Sequence, residues 1–281
     1  MERREFLKLT KLGLLMGAAM PLAGAGFMSQ NGHVKDFLLI KRDTFDLLDS
    51  VPNLNQDRKQ DIILIGKEYE NLKKLFNRLV QIQNIAGYGH FNVISFDEAL
   101  KLARNNSKIG SFTKEDLELS EKLFNEKGDT FGFYGEKVVS ELTADVTKNE
   151  TKKIPYTGHF LYKGKAEEMY KKIQKDMGEG VILTSGVRGV VKQMYLFINK
   201  TIKLEGNLSV ASRSLAPPGY SFHSVGDFDV GKVGFGAKNF SSEFANTDEF
   251  KRLMDLGYIK IRYPEGNPYG VRFEPWHIKV V

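Results

Sequence analysis

The chain has 281 residues, of which 41% are hydrophobic and 27% charged, a globular composition with room for one large domain or two modest ones. This excludes a disordered chain, a collagen-like fibre and a polytopic membrane protein. The absence of cysteine excludes disulfides, thiolate zinc sites, iron–sulfur clusters and cysteine nucleophiles. A net charge of +6 is spread along the chain with no arginine-rich block or aromatic–basic stripe, so no nucleic-acid partner is expected. Any metal site must be built from His, Asp and Glu, and the histidines are His33, His90, His159, His223 and His277.

At the N-terminus, Arg3 and Arg4 are followed by Glu5, Phe6, Leu7 and Lys8, then by a moderately apolar stretch and by Ala23-Gly24-Ala25. These are the three parts of a secretory signal. The stretch up to Ala25 is interrupted by Lys11 and Pro21 and is short for a membrane span. The arginine pair followed by x-F-L-K resembles the twin-arginine export motif. That resemblance implies a signal over residues 1–25 and the twin-arginine machinery as a partner. It also implies a periplasmic or otherwise exported destination, with no stable membrane span after cleavage. A chain without cysteine suits an oxidising compartment.

Residues 26–35 read as a linker, and residues 36–40 and 61–65 as short apolar strands. Residues 68–82 place Leu72, Leu75, Phe76, Leu79 and Ile82 at helical spacing. Ser95 and Thr113 each open a capping-box pattern ahead of an apolar helical run. Residues 26–150 are therefore expected to be mostly helical, and they show no chemistry of their own. Past Ile154 the texture changes. A turn at Pro155-Tyr-Thr-Gly158 leads to a helix over 165–177, a buried strand over 181–184 and a helix over 189–199. Ile278, Val280 and Val281 suggest a terminal strand. The expected class is α+β: a small antiparallel sheet with flanking helices around a metal site, preceded by the helical region.

Three segments carry chemistry. Ser185-Gly-Val-Arg188-Gly-Val-Val-Lys-Gln193 follows a strand and sets Arg188 at its carboxyl end, where a guanidinium can bind a carboxylate or a developing oxyanion. Pro218-Gly-Tyr-Ser221-Phe-His223-Ser-Val-Gly226-Asp227-Phe-Asp229 delivers Ser221 and His223 from a rigid turn. Its two aspartates, two positions apart, share one face of a short strand. Glu274-Pro-Trp276-His277 ends the chemistry. A catalytic zinc wants three protein ligands and a carboxylate that takes a proton from water. His223, Asp229 and His277 can supply the first and Glu274 the second. Asp227 competes with Asp229 for the third ligand position.

Together these segments resemble the zinc D-Ala-D-Ala carboxypeptidase family, which includes D,D- and L,D-carboxypeptidases of peptidoglycan. The family pattern S-G-[YF]-R-S-x-x-x-Q, P-G-x-S-x-H-x-x-G-x-A-x-D and E-x-W-H is met in order. Among the departures are Val187 for the aromatic residue, Phe222 for an acidic residue and a His-to-Asp spacing one residue short. The resemblance covers about residues 154–281, so a catalytic domain is expected over 151–281. It implies a Zn²⁺ ion on His223, Asp229 and His277, Glu274 as general base and then acid, and Arg188 at the oxyanion. Gln193 and Ser221 would orient a peptidoglycan stem peptide losing a terminal D-alanine. The alternatives are an L,D-carboxypeptidase or endopeptidase on the same scaffold, or a zinc-containing wall-binding protein without catalysis. Glu274 argues against the last, because a binding-only site needs no base. His159, in Y-T-G-H-F, is a candidate to line the site but is expected to pack or hydrogen-bond locally.

Overall fold

The computed structural model describes residues 59–281. The expectations for residues 1–25, 26–35 and 36–40 lie outside them. The architecture is the α+β class expected. Helix α1 (Gly66–Ala86) is followed by α2 (Phe96–Asn105) and α3 (Lys114–Asn125). Next come hairpin strands β1 (Thr151–Lys153) and β2 (Phe160–Tyr162), helix α4 (Lys165–Met177) and strand β3 (Val181–Ser185). Helices α5 (Val190–Lys203) and α6 (Leu208–Ser212) precede strand β4 (Phe228–Lys232), helix α7 (Asp248–Asp255) and strand β5 (His277–Ile278).

Local chemistry explains the helix starts. Ser95 accepts from the Glu98 amide while Glu98 returns a bond to the Ser95 amide, and Thr113 and Asp116 repeat the exchange. Each box satisfies two amides that a helix start leaves without intrahelical partners. Residues 61–65 depart from the expected strand. They run extended, but only Ile63 forms a bridge, to Asn207, flanked by hydrogen bonds from Leu64 N to Gly206 O and from Leu208 N to Ile62 O. The apolar run thus pairs with the tight turn after α5, which is too short to support a ladder. The terminal strand is also shorter than expected, because after Ile278 the chain turns to other partners: Val280 N bonds to Asp227.

The sheet order is β3-β4-β5, antiparallel throughout. Its register sets Ser185 opposite Asp229 and Asp229 opposite His277. Directly opposed residues project their side chains on the same face of a sheet. Three segments far apart in sequence are therefore aligned at one rung.

Helix α5 ties that rung to the helical region. Eleven of its residues are buried, including Lys192, Gln193 and Lys200. Val191, Met194, Tyr195, Phe197 and Ile198 share one apolar cluster with Leu72, Leu75, Leu79 and Ile82 of α1. Tyr195 stacks on Phe76 with ring centroids 5.3 Å apart and meets Phe91 edge-on. A second cluster, with Tyr170, Phe228, Phe244, Trp276 and Ile278, fills the space between the sheet, α4 and α7.

The largest apolar cluster thus draws on residues either side of position 150. Leu72, Leu75, Leu79 and Ile82 are each 0% exposed, and burying one such side chain is worth roughly 1.5–3 kcal/mol. Four of them rival the about 5–15 kcal/mol net stability of a whole domain. A fragment starting at residue 151 is expected to expose the apolar face of α5 and to lack a cooperative thermal transition. A sharp transition in that fragment, matching the enthalpy per residue of the full chain, would show that the C-terminal part folds alone.

Candidate metal and catalytic centre

Each side chain of the site is placed by the fold around it. Ser221 ends the Pro217–Tyr220 turn, and a single helical turn, Phe222–Ser224, follows it and carries His223. Gly226 then adopts φ 139, a backbone conformation that side chains rarely tolerate. This sharp bend drops the chain into β4 with Asp229 facing His277 of β5. Arg188 follows β3, and its backbone is sewn to the His223 turn: its amide bonds to His223 O and its carbonyl accepts from Ser224 Oγ.

His223, Asp229 and His277 come together with one ligand atom each, all within 4.8 Å of one another, and all three residues are buried. Asp229 Oδ1 lies 3.2 Å from His223 Nε2 and 3.7 Å from His277 Nδ1. His223 Nδ1 sits 2.9 Å from Gly186 O. A carbonyl only accepts, so Nδ1 carries the proton and the neutral ring turns its Nε2 lone pair to the centre. Burial and the nearby Arg188 guanidinium hold the His223 pKa down to about 4, against the opposing pull of Asp229. Asp229 is lowered to about 2: burial works against its charge, but His223, His277 and Arg188 outweigh it.

The order reverses at His277. Burial again disfavours the charged ring, but Asp227 at 3.2 Å from Nε2 and Glu274 at 3.2 Å from Nδ1 overcome it and raise the pKa to about 9. The two aspartates that sequence spacing could not separate take opposite edges of one imidazole. Asp229 faces Nδ1 and Asp227 faces Nε2. Only Asp229 is in the convergent group.

Arg188 donates from Nε to Ser185 Oγ at 2.8 Å and from Nη2 to Asp229 Oδ2 at 2.9 Å. Asp229 Oδ2 is thereby occupied, whereas its Oδ1 is buried with no hydrogen-bond donor. A buried carboxylate oxygen costs free energy unless something positive meets it. Two imidazole nitrogens and a carboxylate oxygen are a donor set that suits zinc, and the orphaned Oδ1 points to where a cation fits.

The cluster opens into a cleft lined by Arg188, Gln193, Ser221, Tyr263, Glu274 and Trp276, among others. It encloses about 30 Å³, room for an ion or one or two waters at the scale on which a water fills roughly 10–15 Å³. Gln193 donates from Nε2 to Ala216 O at 2.6 Å, and its Oε1 is buried without a donor. His159 does not line this cleft; its amide bonds to Thr157 Oγ1 within the hairpin turn.

Sequence reasoning missed three groups here. Tyr263 sets its ring edge-on to His277 at 5.3 Å, and burial, reinforced by Glu274, pushes its hydroxyl well above the usual phenol range. Arg272 lies over Trp276 at 4.9 Å and lines the cleft. Arg262 pairs with Asp227. The stretch holding them has no spacing motif. The one available signal was two arginines and a tyrosine close before the Glu-Pro-Trp-His segment.

Residues 161–281 match the VanY family, D-alanyl-D-alanine carboxypeptidase. The LdcB LD-carboxypeptidase, in a structure that concerns peptidoglycan recognition, aligns at 27% identity over 43% of this chain and 59% of that one, with a TM-score of 0.37. VanYB in complex with D-alanine-D-alanine aligns at 22% identity over 54% of this chain and 86% of that one, with a TM-score of 0.40. The chain thus spans about three fifths of the LdcB structure's length. No match to a curated protein was found. The matched stretch, residues 161–281, holds every group of the buried centre and is similar to the VanY family of D-alanyl-D-alanine carboxypeptidases.

Proposed function

We propose that the chain is an exported, zinc-dependent D,D-carboxypeptidase that removes the terminal D-alanine of peptidoglycan stem peptides. The observation that carries this reading is the buried His223, Asp229 and His277 group with Glu274 at its edge. A zinc ion held by these three residues would supply Lewis-acid polarisation of the scissile carbonyl and of the attacking water.

The chain's own groups do the rest. Glu274 takes a proton from the water and passes it to the leaving amine, as general base and then acid. Its amide is anchored to Tyr263 O at 3.0 Å and the His277 amide to Glu274 O at 3.1 Å, so base and ligand move as one unit. Arg188 stabilises negative charge on the former carbonyl oxygen. With Nε and Nη2 held by Ser185 and Asp229, its orientation is set before substrate arrives. Gln193 and Ser221, on one wall of the cleft, orient the terminal residue. The D,D reading rests on the family description; an L,D-specific carboxypeptidase or an endopeptidase would use the same centre with a different fit of the residue before the scissile bond.

Digestion of purified muropeptides by the zinc-loaded protein, with products identified by mass, tests the reading. Loss of one D-alanine from pentapeptides is expected. Loss from tetrapeptides alone would make it an L,D-enzyme, and cleavage of cross-links alone an endopeptidase. Glu274→Gln should keep the metal and lower the rate by at least ~100-fold. Full activity in Glu274→Gln would contradict the assignment of the base. No cleavage of any substrate by the zinc-loaded parent would favour a wall-binding protein.

No helix among the described residues is long and apolar enough to cross a membrane. Export is assigned to the twin-arginine pattern at Arg3 and Arg4. Replacing both with lysine should leave the precursor in the cytoplasm, read by fractionation. Unimpaired export would mean that another route carries it.

A further inference from the structure

A neutral imidazole offers one lone pair, and the hydrogen bond made by its other nitrogen decides which nitrogen offers it. At His223 the partner is a backbone carbonyl. At His277 it is the Asp227 carboxylate, with Oδ2 at 3.2 Å from Nε2. An ionised carboxylate only accepts. Nδ1 faces Glu274 Oε2 at 3.2 Å and Asp229 Oδ1 at 3.7 Å, so carboxylates meet both edges of the ring; a cation at the centre would take Nδ1, and Nε2 would keep its proton for Asp227.

Asp227 is itself held from several directions. Arg262 meets it with two nitrogens, Nε to Oδ2 at 2.7 Å and Nη2 to Oδ1 at 3.2 Å. The Val280 amide adds a bond to Oδ1 at 2.7 Å and the Val281 amide one at 3.3 Å. The Asp227 side chain is 0% exposed and that of Arg262 10%. Arg262 in turn lies 3.7 Å over the ring of Phe222, the neighbour of His223, and its amide bonds to His277 O at 3.2 Å. Arg262 therefore touches the segments that carry both histidines, through its guanidinium at Phe222 and its amide at His277. A forked pair with a planar cation under an aromatic ring leaves the carboxylate one orientation.

Resting on the metal site of the proposed function, we propose that Asp227 and Arg262 are positioning residues. Asp227 fixes the His277 tautomer and ring angle so that Nδ1 faces the metal, and Arg262 fixes Asp227. Neither touches substrate. This gives Phe222 and the Gly226-Asp227 step a purpose: the ring floors the guanidinium, and the turn sets Asp227 behind the imidazole. A salt bridge serving stability alone would leave metal affinity unmoved once the protein was folded, and buried ion pairs are poor stabilisers in any case.

The test measures zinc affinity by competition with a chromophoric chelator, for the parent, Asp227→Asn, Arg262→Gln and Arg262→Lys, with circular dichroism to check folding. Asp227→Asn should weaken zinc binding by about 10–100-fold, the range for loss of a partner behind a metal-binding histidine. Arg262→Gln should weaken it by a smaller factor, and Arg262→Lys should recover part of that loss because it restores the charge without the fork. A folded Asp227→Asn protein with parental affinity would overturn the proposal and leave the metal site standing. If Asp227→Asn does not fold, Arg262→Gln decides: parental affinity overturns the proposal, and weakened affinity partly recovered in Arg262→Lys supports it. A parent that binds no zinc overturns the metal site and this inference with it.

Discussion

One oxygen atom organises this centre. Asp229 Oδ1 is buried between two imidazoles and accepts no hydrogen bond. Leaving such a group unmet costs about 1–3 kcal/mol, and more when it is charged. The nearby donors are engaged elsewhere: His223 gives its Nδ1 proton to Gly186 O, the Arg188 fork goes to Ser185 Oγ and the other Asp229 oxygen, and His277 Nδ1 lies nearer Glu274, at 3.2 Å, than Asp229 Oδ1, at 3.7 Å. The fold has gathered two imidazole nitrogens and a carboxylate oxygen around one point, an arrangement that a cation stabilises.

The rest of the structure keeps those atoms from relaxing apart. The β3-β4-β5 register aligns Ser185, Asp229 and His277 at one rung. Gly186 is packed so closely that a Cβ there would lie 2.0 Å from Phe160 O, so the loop carrying the His223 acceptor is pinned against the hairpin. Helix α5 brings Gln193 to the cleft while its other apolar side chains meet α1. In this way the helical region outside the family match stands behind the wall of the cleft. Catalytic geometry must hold to within a fraction of an ångström, and support from both flanks of α5 supplies that rigidity.

Much of this was legible from the sequence for physical reasons. Caps at Ser95 and Thr113 are local chemistry, and both boxes form. Helix α4 spans Lys165–Met177 as its apolar spacing implied. The seven expected site residues, from Arg188 to His277, line one cleft. Period-two reasoning placed Asp227 and Asp229 on the same side, but it cannot say which edge of a ring each one meets. That depends on where β5 pairs, and so on contacts about fifty residues away. The partners of Arg262, Tyr263 and Arg272 were hidden for the same reason, since no spacing near them encodes a contact. Likewise the apolar stripe of α1 announced a buried face, but not that α5 would cover it.

The central claim is that His223, Asp229 and His277 hold one metal ion through Nε2, Oδ1 and Nδ1. The most direct measurement is an anomalous-scattering difference map at the zinc absorption edge, from crystals of the zinc-loaded protein. The account predicts a single strong peak among those three atoms, with bond lengths of roughly 2.0–2.2 Å, Glu274 beside it and Asp227 still on the far edge of the His277 ring. A peak ligated by Asp227 and His277 Nε2, or no peak at the cluster in protein with full zinc content, would contradict it.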